Sequence, residues 1–206
     1  LDRSSAASDV YKRQTGIDQA LYPLNSTELD SYNQAHIWLD WEMQSTPTLR
    51  QALQIMQDFE HLEVEVKAVQ TQAEAERLTQ HLTQQLRGFE HSAVITSFDL
   101  KILQALQDQH STFKRGLLIE DDIQHLAIEQ ALKYDCCQIG WMNQLATDDL
   151  LKATQQANLA ISVWTVNDIE RAKHLRDCGI DGLITDFPKM MLQHLIDCLL
   201  YTSDAA

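Results

Sequence analysis

The sequence has little proline, little glycine and no long apolar run. Its 206 residues include three prolines and six glycines, which fits short connections between regular elements and offers no candidate for a flexible linker. No apolar stretch is long enough to cross a bilayer, and no secretory signal peptide is recognisable. The length is sufficient for one substantial domain. We therefore expect a single domain without a membrane span.

Basic residues are scarce relative to acidic ones. Lysine and arginine number 16 against 30 aspartates and glutamates, which gives a formal net charge of −14. Because nucleic acid binding requires a basic face, this balance argues against nucleic acid as a partner. The net negative charge does not exclude a small anionic substrate, since a pocket can be locally positive inside an acidic protein.

The four cysteines, Cys136, Cys137, Cys178 and Cys198, have neither metal-ligand spacing nor the pattern of a disulfide framework. We interpret them as small apolar residues in a reducing compartment. This interpretation favours the cytoplasm over the periplasm. The sequence does not indicate an oligomeric state.

Both ends of the sequence differ from the part between them. Residues 4–14 (SSAASDVYKRQ) resemble a translated sequencing adapter, and residues 198–206 (CLLYTSDAA) resemble the reverse complement of the same oligonucleotide. We therefore interpret residues 1–14 and 198–206 as adapter-derived and residues 15–197 as authentic sequence. Ordinary flexible tails are the alternative. Adapter-derived segments were never selected to bury surface, so we expect Tyr11 and Tyr201 to pack little.

Short β-branched runs alternate with amphipathic stretches between these ends. A helix is predicted at residues 48–59, directly after Pro47. Each predicted strand is followed by apolar residues at helical spacing. This alternation indicates βαβ units and a parallel sheet. The predicted strands are residues 62–66, 93–97, 116–119, 136–140, 160–165 and 181–185.

The first predicted strand favours a barrel over an open, doubly wound sheet. In residues 62–67 (LEVEVK) the apolar side chains share one face and the charged side chains share the other. A central strand of an open parallel sheet should be apolar on both faces, whereas the inward face of a barrel strand can carry charge near the mouth. A solvent-exposed edge strand is the alternative explanation.

Several motifs resemble those of the glycerophosphodiester phosphodiesterases. Residues 161–167 (ISVWTVN) and 179–188 (GIDGLITDFP) are similar, in order and separation, to the "vWTVN" and "GVDGIITD.P" motifs of the family's last two strands. Residues 47–53 (PTLRQAL) resemble its "PTLeEvL" helix, and residues 62–67 its "iEiK" strand. Ser97 and Phe98 match its "SF". The similarity covers residues 15–197.

The resemblance implies an α/β fold, the (β/α)8 TIM barrel that these enzymes share with phosphatidylinositol phospholipase C. The family's "HRG", "PENT", "E.D" and "HD" motifs lie upstream of the matching part and find no counterpart in this chain. The resemblance therefore implies an N-terminally truncated, incomplete barrel that lacks its first two strands. Of the family's two acid–base histidines and three metal-binding carboxylates, only one carboxylate would remain.

Four residues take roles from this resemblance. Glu65 corresponds to a carboxylate that holds a divalent cation, Mg2+ or Ca2+, which acts as a Lewis acid on a phosphoryl oxygen. Lys67 would stabilise the phosphate charge during catalysis. Trp164 would form an apolar wall beside the glycerol moiety, and Phe98 would also contact substrate. Without the resemblance, Glu65 and Lys67 read as a structural ion pair and Trp164 as a core aromatic.

The resemblance implies metal-dependent hydrolysis of a glycerophosphodiester to glycerol 3-phosphate and an alcohol, a reaction of lipid metabolism. We expect this activity of the full-length parent and expect the present chain to be inactive. The competing hypothesis is a non-catalytic barrel that binds a phosphorylated small molecule or a protein partner. Because barrels support many chemistries, the fold alone does not decide between them.

Overall fold

The computed structural model describes residues 15–17, 25–37 and 40–202. For residues 26 and 196–202 this description covers the backbone only. The chain divides into two compact units, the first ending at Glu60 and the second beginning at His61. The expectations for Tyr11 and Tyr201 concern side chains outside the described part. None of the described helices combines the length and apolar composition that crossing a membrane requires.

Two helices of the first unit begin at capping boxes. Helix α1 (Ser26–Asp30) is capped by Asn25, whose side chain accepts from the backbone N–H of Glu28. Helix α2 (Leu49–Ile55) is capped by Thr48, in the same way, with Gln51 as partner. Such a box satisfies amide groups that the first helical turn leaves unpaired. Helix α2 thus begins where the sequence predicts, and it ends four residues earlier than predicted because a turn follows it.

The second unit contains a parallel sheet of six strands in the order of the sequence. The strands are β1 (Leu62–Glu65), β2 (Ala93–Ser97), β3 (Lys114–Ile119), β4 (Gln138–Met142), β5 (Ala160–Trp164) and β6 (Gly182–Leu183). The helices between and after them are α3 (Gln72–Gln85), α4 (Leu100–Asp108), α5 (Leu126–Lys133), α6 (Asp148–Gln156), α7 (Ile169–Asp177) and α8 (Pro188–Thr202). The predicted alternation and parallel pairing are confirmed.

Strand β4 begins two residues later than predicted. The backbone N–H of Cys136 donates to the carbonyl of Ala131 at 2.9 Å. This bond caps the C-terminal end of helix α5. Cys136 therefore belongs to the end of the helix and not to the strand. The ladder to β3 starts only with Cys137, whose N–H donates to the carbonyl of Arg115.

The main apolar core lies between the outer face of the sheet and the helices. Its strand residues alternate along β3, β4 and β5, and they pack against buried residues of helices α4 to α7. Trp141 is fully buried in this core, and its indole N–H donates to the hydroxyl of Thr154 on α6 at 3.2 Å. The core strand residues include Leu117, Ile119, Ile139, Trp141, Ile161 and Val163.

A polar contact on the inner face demonstrates that the sheet is curled. The amide of Gln138 on β4 donates to the carboxylate of Glu63 on β1 at 2.5 Å and to the hydroxyl of Ser162 on β5 at 3.1 Å. In a flat sheet β1 and β4 would lie three strand spacings, about 14 Å, apart. Two side chains could not cover that distance. The six strands therefore form a curled half-barrel, and the predicted barrel curvature is confirmed.

Candidate active site

The predicted charged pair lies at the C-terminal end of β1. Glu65 is the last residue of the strand, and its carboxylate accepts a hydrogen bond from the ammonium of Lys67 in a short ion pair. The N–H of Val66 continues the ladder to the carbonyl of Thr96, so alternation persists past the strand end and both charged side chains share one face. Both are partly solvent-accessible, at 35% and 58%. The predicted orientation on one face is confirmed.

The two aromatic residues that were predicted to contact substrate lie at the same end of the sheet. Phe98, directly after β2, and Trp164, the last residue of β5, make an edge-to-face contact with ring centroids 5.4 Å apart and an interplanar angle of 87°. Their strands are not neighbours in the sheet, so the rings meet across the curled inner face. Such an arrangement is favoured by the ring quadrupoles.

Trp164 is oriented by a hydrogen bond to a glycine. Its indole N–H donates to the carbonyl of Gly140 at 3.0 Å. A Cβ at Gly140 would lie 2.5 Å from Cδ2 of Leu118 and 3.1 Å from the hydroxyl of Ser162. A side chain at position 140 would therefore displace neighbouring side chains on the inner face below the indole.

A buried network fixes the loop that carries Phe98. The hydroxyl of Ser97 donates to the carbonyl of Val66 at 2.7 Å and accepts from the N–H of Asp99 at 3.0 Å. The carboxylate of Asp99 accepts from the N–H groups of Val69 at 3.1 Å and Lys101 at 2.9 Å, which caps helix α4. The loops after β1 and β2 are therefore tied together on either side of Phe98.

These contacts determine the pKa of Asp99. Burial alone raises this pKa, but hydrogen bonds from the backbone and ammonium of Lys101 and from Val69 outweigh burial and hold it below the usual 3.8. A carboxyl group with a depressed folded-state pKa stabilises the fold above its unfolded pKa. That contribution is lost as the pH falls through the folded-state value.

We expect Asp99→Ala to lower the free energy of unfolding by about 1–2 kcal/mol at pH 7, because it removes a helix cap. Asp99→Asn keeps an acceptor and loses only the charge, so its cost should be smaller and should shrink in acid. Urea unfolding at neutral and acidic pH measures both. Asp108→Asn, at an exposed position of the same helix, is the matched control. Equal costs for Asp99→Asn at both pH values would contradict the assigned charge effect.

Comparison with known proteins assigns the chain to a family. The family model described as "Glycerophosphoryl diester phosphodiesterase family" matches residues 8–190. The chain belongs to this family. The resemblance inferred from the motifs is thereby confirmed, and the family membership places the chain among phosphodiester hydrolases. No curated protein matches the chain.

Solved structures of glycerophosphodiester phosphodiesterases share the fold. An Oleispira antarctica phosphodiesterase in complex with the product sn-glycerol-3-phosphate has a TM-score of 0.73 at 16% identity, over 89% of this chain and 75% of the other. A putative glycerophosphoryl diester phosphodiesterase from Silicibacter pomeroyi has a TM-score of 0.76 at 18% identity, over 89% and 72%. The enzyme from Thermotoga maritima has a TM-score of 0.65 at 20% identity, over 88% and 74%. Identities this low establish the fold alone.

The glycerophosphodiester phosphodiesterase family acts with a divalent cation, and the residues present at the strand ends fit one only in part. Glu65 is a hard oxygen donor of the type that Mg2+ and Ca2+ prefer, but its charge is already balanced by Lys67. Among the described residues, no group of three potential ligands includes Glu65. Glu65 would therefore need further ligands to hold a cation here.

The structure also brings together three residues that the sequence analysis did not nominate. Asp148 on α6, His174 on α7 and Cys178 directly after α7 lie within ligand distance of one another. They belong to the outer helices and not to the strand ends. The only signal in the sequence is the four-residue spacing of His174 and Cys178, which places both on one helix face.

Proposed function

We propose that the complete enzyme hydrolyses a glycerophosphodiester to glycerol 3-phosphate and an alcohol, and that this chain supplies the substrate side of the barrel mouth. The observation that carries the proposal is the placement of a charged pair and an aromatic pair at one end of the curled sheet. Phe98 lies two residues beyond Thr96, which is the residue of β2 that pairs with Glu65. A phosphoglycerol group requires this combination of charge and apolar surface.

The charged pair would serve the phosphate. Glu65 would hold Mg2+ or Ca2+ together with further carboxylates, which the resemblance places upstream, and a bound cation would supply Lewis-acid chemistry for the phosphate. The ammonium of Lys67 would bind a non-bridging phosphoryl oxygen and offset the charge that develops during hydrolysis. Because Lys67 contacts Glu65, it also limits the mutual repulsion of this carboxylate and an approaching anion.

The aromatic pair would serve the glycerol. The indole N–H of Trp164 is already satisfied by Gly140, so its ring is left to make apolar contact with the carbon skeleton. Phe98 supports the indole edge-to-face and keeps it from rotating away. Both side chains are half-buried, which leaves part of each ring accessible to substrate.

We also propose that the present chain is inactive and that the barrel lacks its first two strands. By the motif resemblance, the general acid–base histidines of the family would lie outside this chain. The resemblance places them on the strand and loop upstream of β1. A barrel without them could still bind a phosphorylated ligand through Lys67 and Trp164, which is the non-catalytic alternative.

The test extends the chain upstream of Thr15 with the family's histidine and carboxylate motifs. Release of glycerol 3-phosphate from glycerophosphocholine, with Mg2+ or Ca2+ and with chelator, measures the activity. Cation-dependent release supports the proposal. Saturable glycerol 3-phosphate binding without any release would favour the non-catalytic alternative.

In the extended protein we expect Trp164→Ala to raise KM for the glycerophosphodiester roughly tenfold, equivalent to about 1.4 kcal/mol of lost binding. The turnover number should fall less, because the ring contacts glycerol and not the reacting phosphorus. Steady-state kinetics separate the two effects. Phe59→Ala, at an exposed aromatic of the first unit, is the control. An unchanged KM would remove Trp164 from the substrate site.

A cytoplasmic location remains our proposal. The three cysteines whose side chains are described are free thiols. Burial raises the pKa of Cys136 to about 12, so its thiol is unreactive at neutral pH. Free thiols of this kind are compatible with a reducing compartment.

A further inference from the structure

Three potential metal ligands converge on the outer surface of the second unit. The imidazole Nε2 of His174 lies 2.8 Å from Oδ1 of Asp148 and 3.6 Å from Sγ of Cys178. The Cys178 sulfur lies 3.9 Å from the same carboxylate oxygen. Asp148 and His174 are exposed, and Cys178 is partly exposed. One atom from each of the three residues therefore faces a common, solvent-accessible point.

The local structure brings these atoms together from two helices. Asp148 is the first residue of α6 and His174 lies on α7, while Cys178 is the C-cap of α7. The spacing of four residues places the imidazole and the thiol on the same helix face. The packing of α7 beside the start of α6 adds the carboxylate. No single segment of the sequence contains the cluster.

The distances are compatible with a tetrahedral ion. Ligand atoms around zinc lie roughly 3.3–3.6 Å apart when the metal bonds measure about 2.0–2.3 Å. The two separations that involve sulfur, 3.6 and 3.9 Å, are close to this range. The oxygen–nitrogen pair, at 2.8 Å, would have to open by about half an ångström, which exposed side chains can do by small rotations.

The chemical types of the three ligand atoms indicate which metal ion the cluster would prefer. A thiolate, an imidazole and a carboxylate together suit Zn2+ and similar borderline cations. Mg2+ and Ca2+ require oxygen ligands throughout, so this cluster does not suit the cation proposed for the barrel mouth. The exposed side of the cluster leaves room for a water molecule as the fourth ligand.

The charges around the cluster also allow a cation. Arg171 lies one turn before His174, but its guanidinium donates to the side-chain oxygen of Asn143 at 2.9 Å and to the carbonyl of Ala146 at 2.6 Å. These bonds hold it at the loop before α6, but its charge still favours the ionised forms of both Asp148 and Cys178. The pKa of Cys178 is raised, first by burial and next by the charge of Asp148. A thiolate ligand must be deprotonated, so metal binding would be coupled to loss of the thiol proton.

We propose that Asp148, His174 and Cys178 bind one Zn2+ ion, which links helix α6 to helix α7. This site is separate from the barrel mouth and uses none of the residues assigned to hydrolysis. An ion held by two helices is bound more tightly by the folded state than by the unfolded chain, so it would stabilise the fold.

The test titrates the reduced chain with Co2+, a spectroscopic substitute for Zn2+. We expect a thiolate-to-cobalt charge-transfer band in the near ultraviolet and intense visible bands of four-coordinate cobalt, both displaced by Zn2+. Cys178→Ser should abolish the charge-transfer band. His174→Ala and Asp148→Asn should weaken Co2+ binding by at least about tenfold, since even an outer-shell partner of a ligand is worth roughly 10- to 100-fold in affinity.

Two matched variants control for adventitious binding. Cys137→Ser and His81→Ala change a partly exposed cysteine and an exposed histidine outside the cluster, and both should retain the wild-type spectrum. Zn2+ should also raise the melting temperature of the wild-type chain and of these controls but not of Cys178→Ser. The proposal is overturned if the wild-type chain gives no charge-transfer band, if the band survives in Cys178→Ser, or if Cys137→Ser abolishes it.

Discussion

Glycerophosphodiester hydrolysis should be undetectable with the 206-residue chain and should appear once the family's histidine and carboxylate motifs are supplied upstream. Among the described residues, no group of three potential metal ligands includes Glu65, whose carboxylate is paired with the ammonium of Lys67. Loss of one general acid–base group removes about two to four orders of magnitude in rate. The family mechanism needs two such groups and a bound cation, so their combined absence should leave no measurable turnover.

In the extended protein, Glu65→Gln should lower kcat/KM by at least about 100-fold, because a direct ligand is worth more than the roughly 10- to 100-fold of an outer-shell partner. Raising the Mg2+ or Ca2+ concentration should recover part of the loss. Glu76→Gln, at an exposed glutamate of helix α3, is the control and should behave as wild type. Hydrolysis by the unextended chain, or a neutral Glu65→Gln, would refute the assignment of this carboxylate.

The arrangement of strands could be predicted because each strand has a local signal. Residues 93–97 are all buried, and their apolar, β-branched composition fixes the bounds of β2 without reference to the rest of the chain. Strand β6 is shorter than predicted because the side chain of Asn167 accepts from the N–H of Asp186 and from the hydroxyl of Thr185. The end of the predicted strand is thus hydrogen-bonded to a side chain of the preceding loop. The sequence of the strand itself does not indicate this contact.

From local sequence, only the part of the site that depends on side-chain alternation along one strand could be predicted. The common face of Glu65 and Lys67 follows from the period of two. The contact of Phe98 with Trp164 depends on the curvature of a sheet built from segments far apart in sequence. The family resemblance indicated the two residues but not their contact. The cluster with Asp148 depends on how two helices pack side by side. Both are tertiary properties, which local periodicity does not encode.

The second large effect concerns the core outside the sheet. Trp141→Ala should lower the free energy of unfolding of the second unit by about 3–5 kcal/mol, the range for deleting a fully buried aromatic side chain. The side chain has no exposed surface and lies between β4 and the helices, where its neighbours are themselves buried. Little relaxation into the resulting cavity is possible, so the cost should lie toward the upper part of this range.

The indole also makes a hydrogen bond, and a second variant separates its contribution from packing. Trp141→Phe keeps most of the apolar volume but removes the donor to Thr154, whose hydroxyl still donates to the carbonyl of Leu150 at 2.7 Å. Because no buried donor is left unsatisfied, we expect a cost of only about 1–2 kcal/mol. Leu132→Ala, at a half-exposed position on α5, should change stability by about 0.5 kcal/mol or less. Urea unfolding followed by circular dichroism measures all three variants. If Trp141→Ala cost no more than Leu132→Ala, the core would not lie between the outer face of the sheet and the helices, and the half-barrel would need another source of stability.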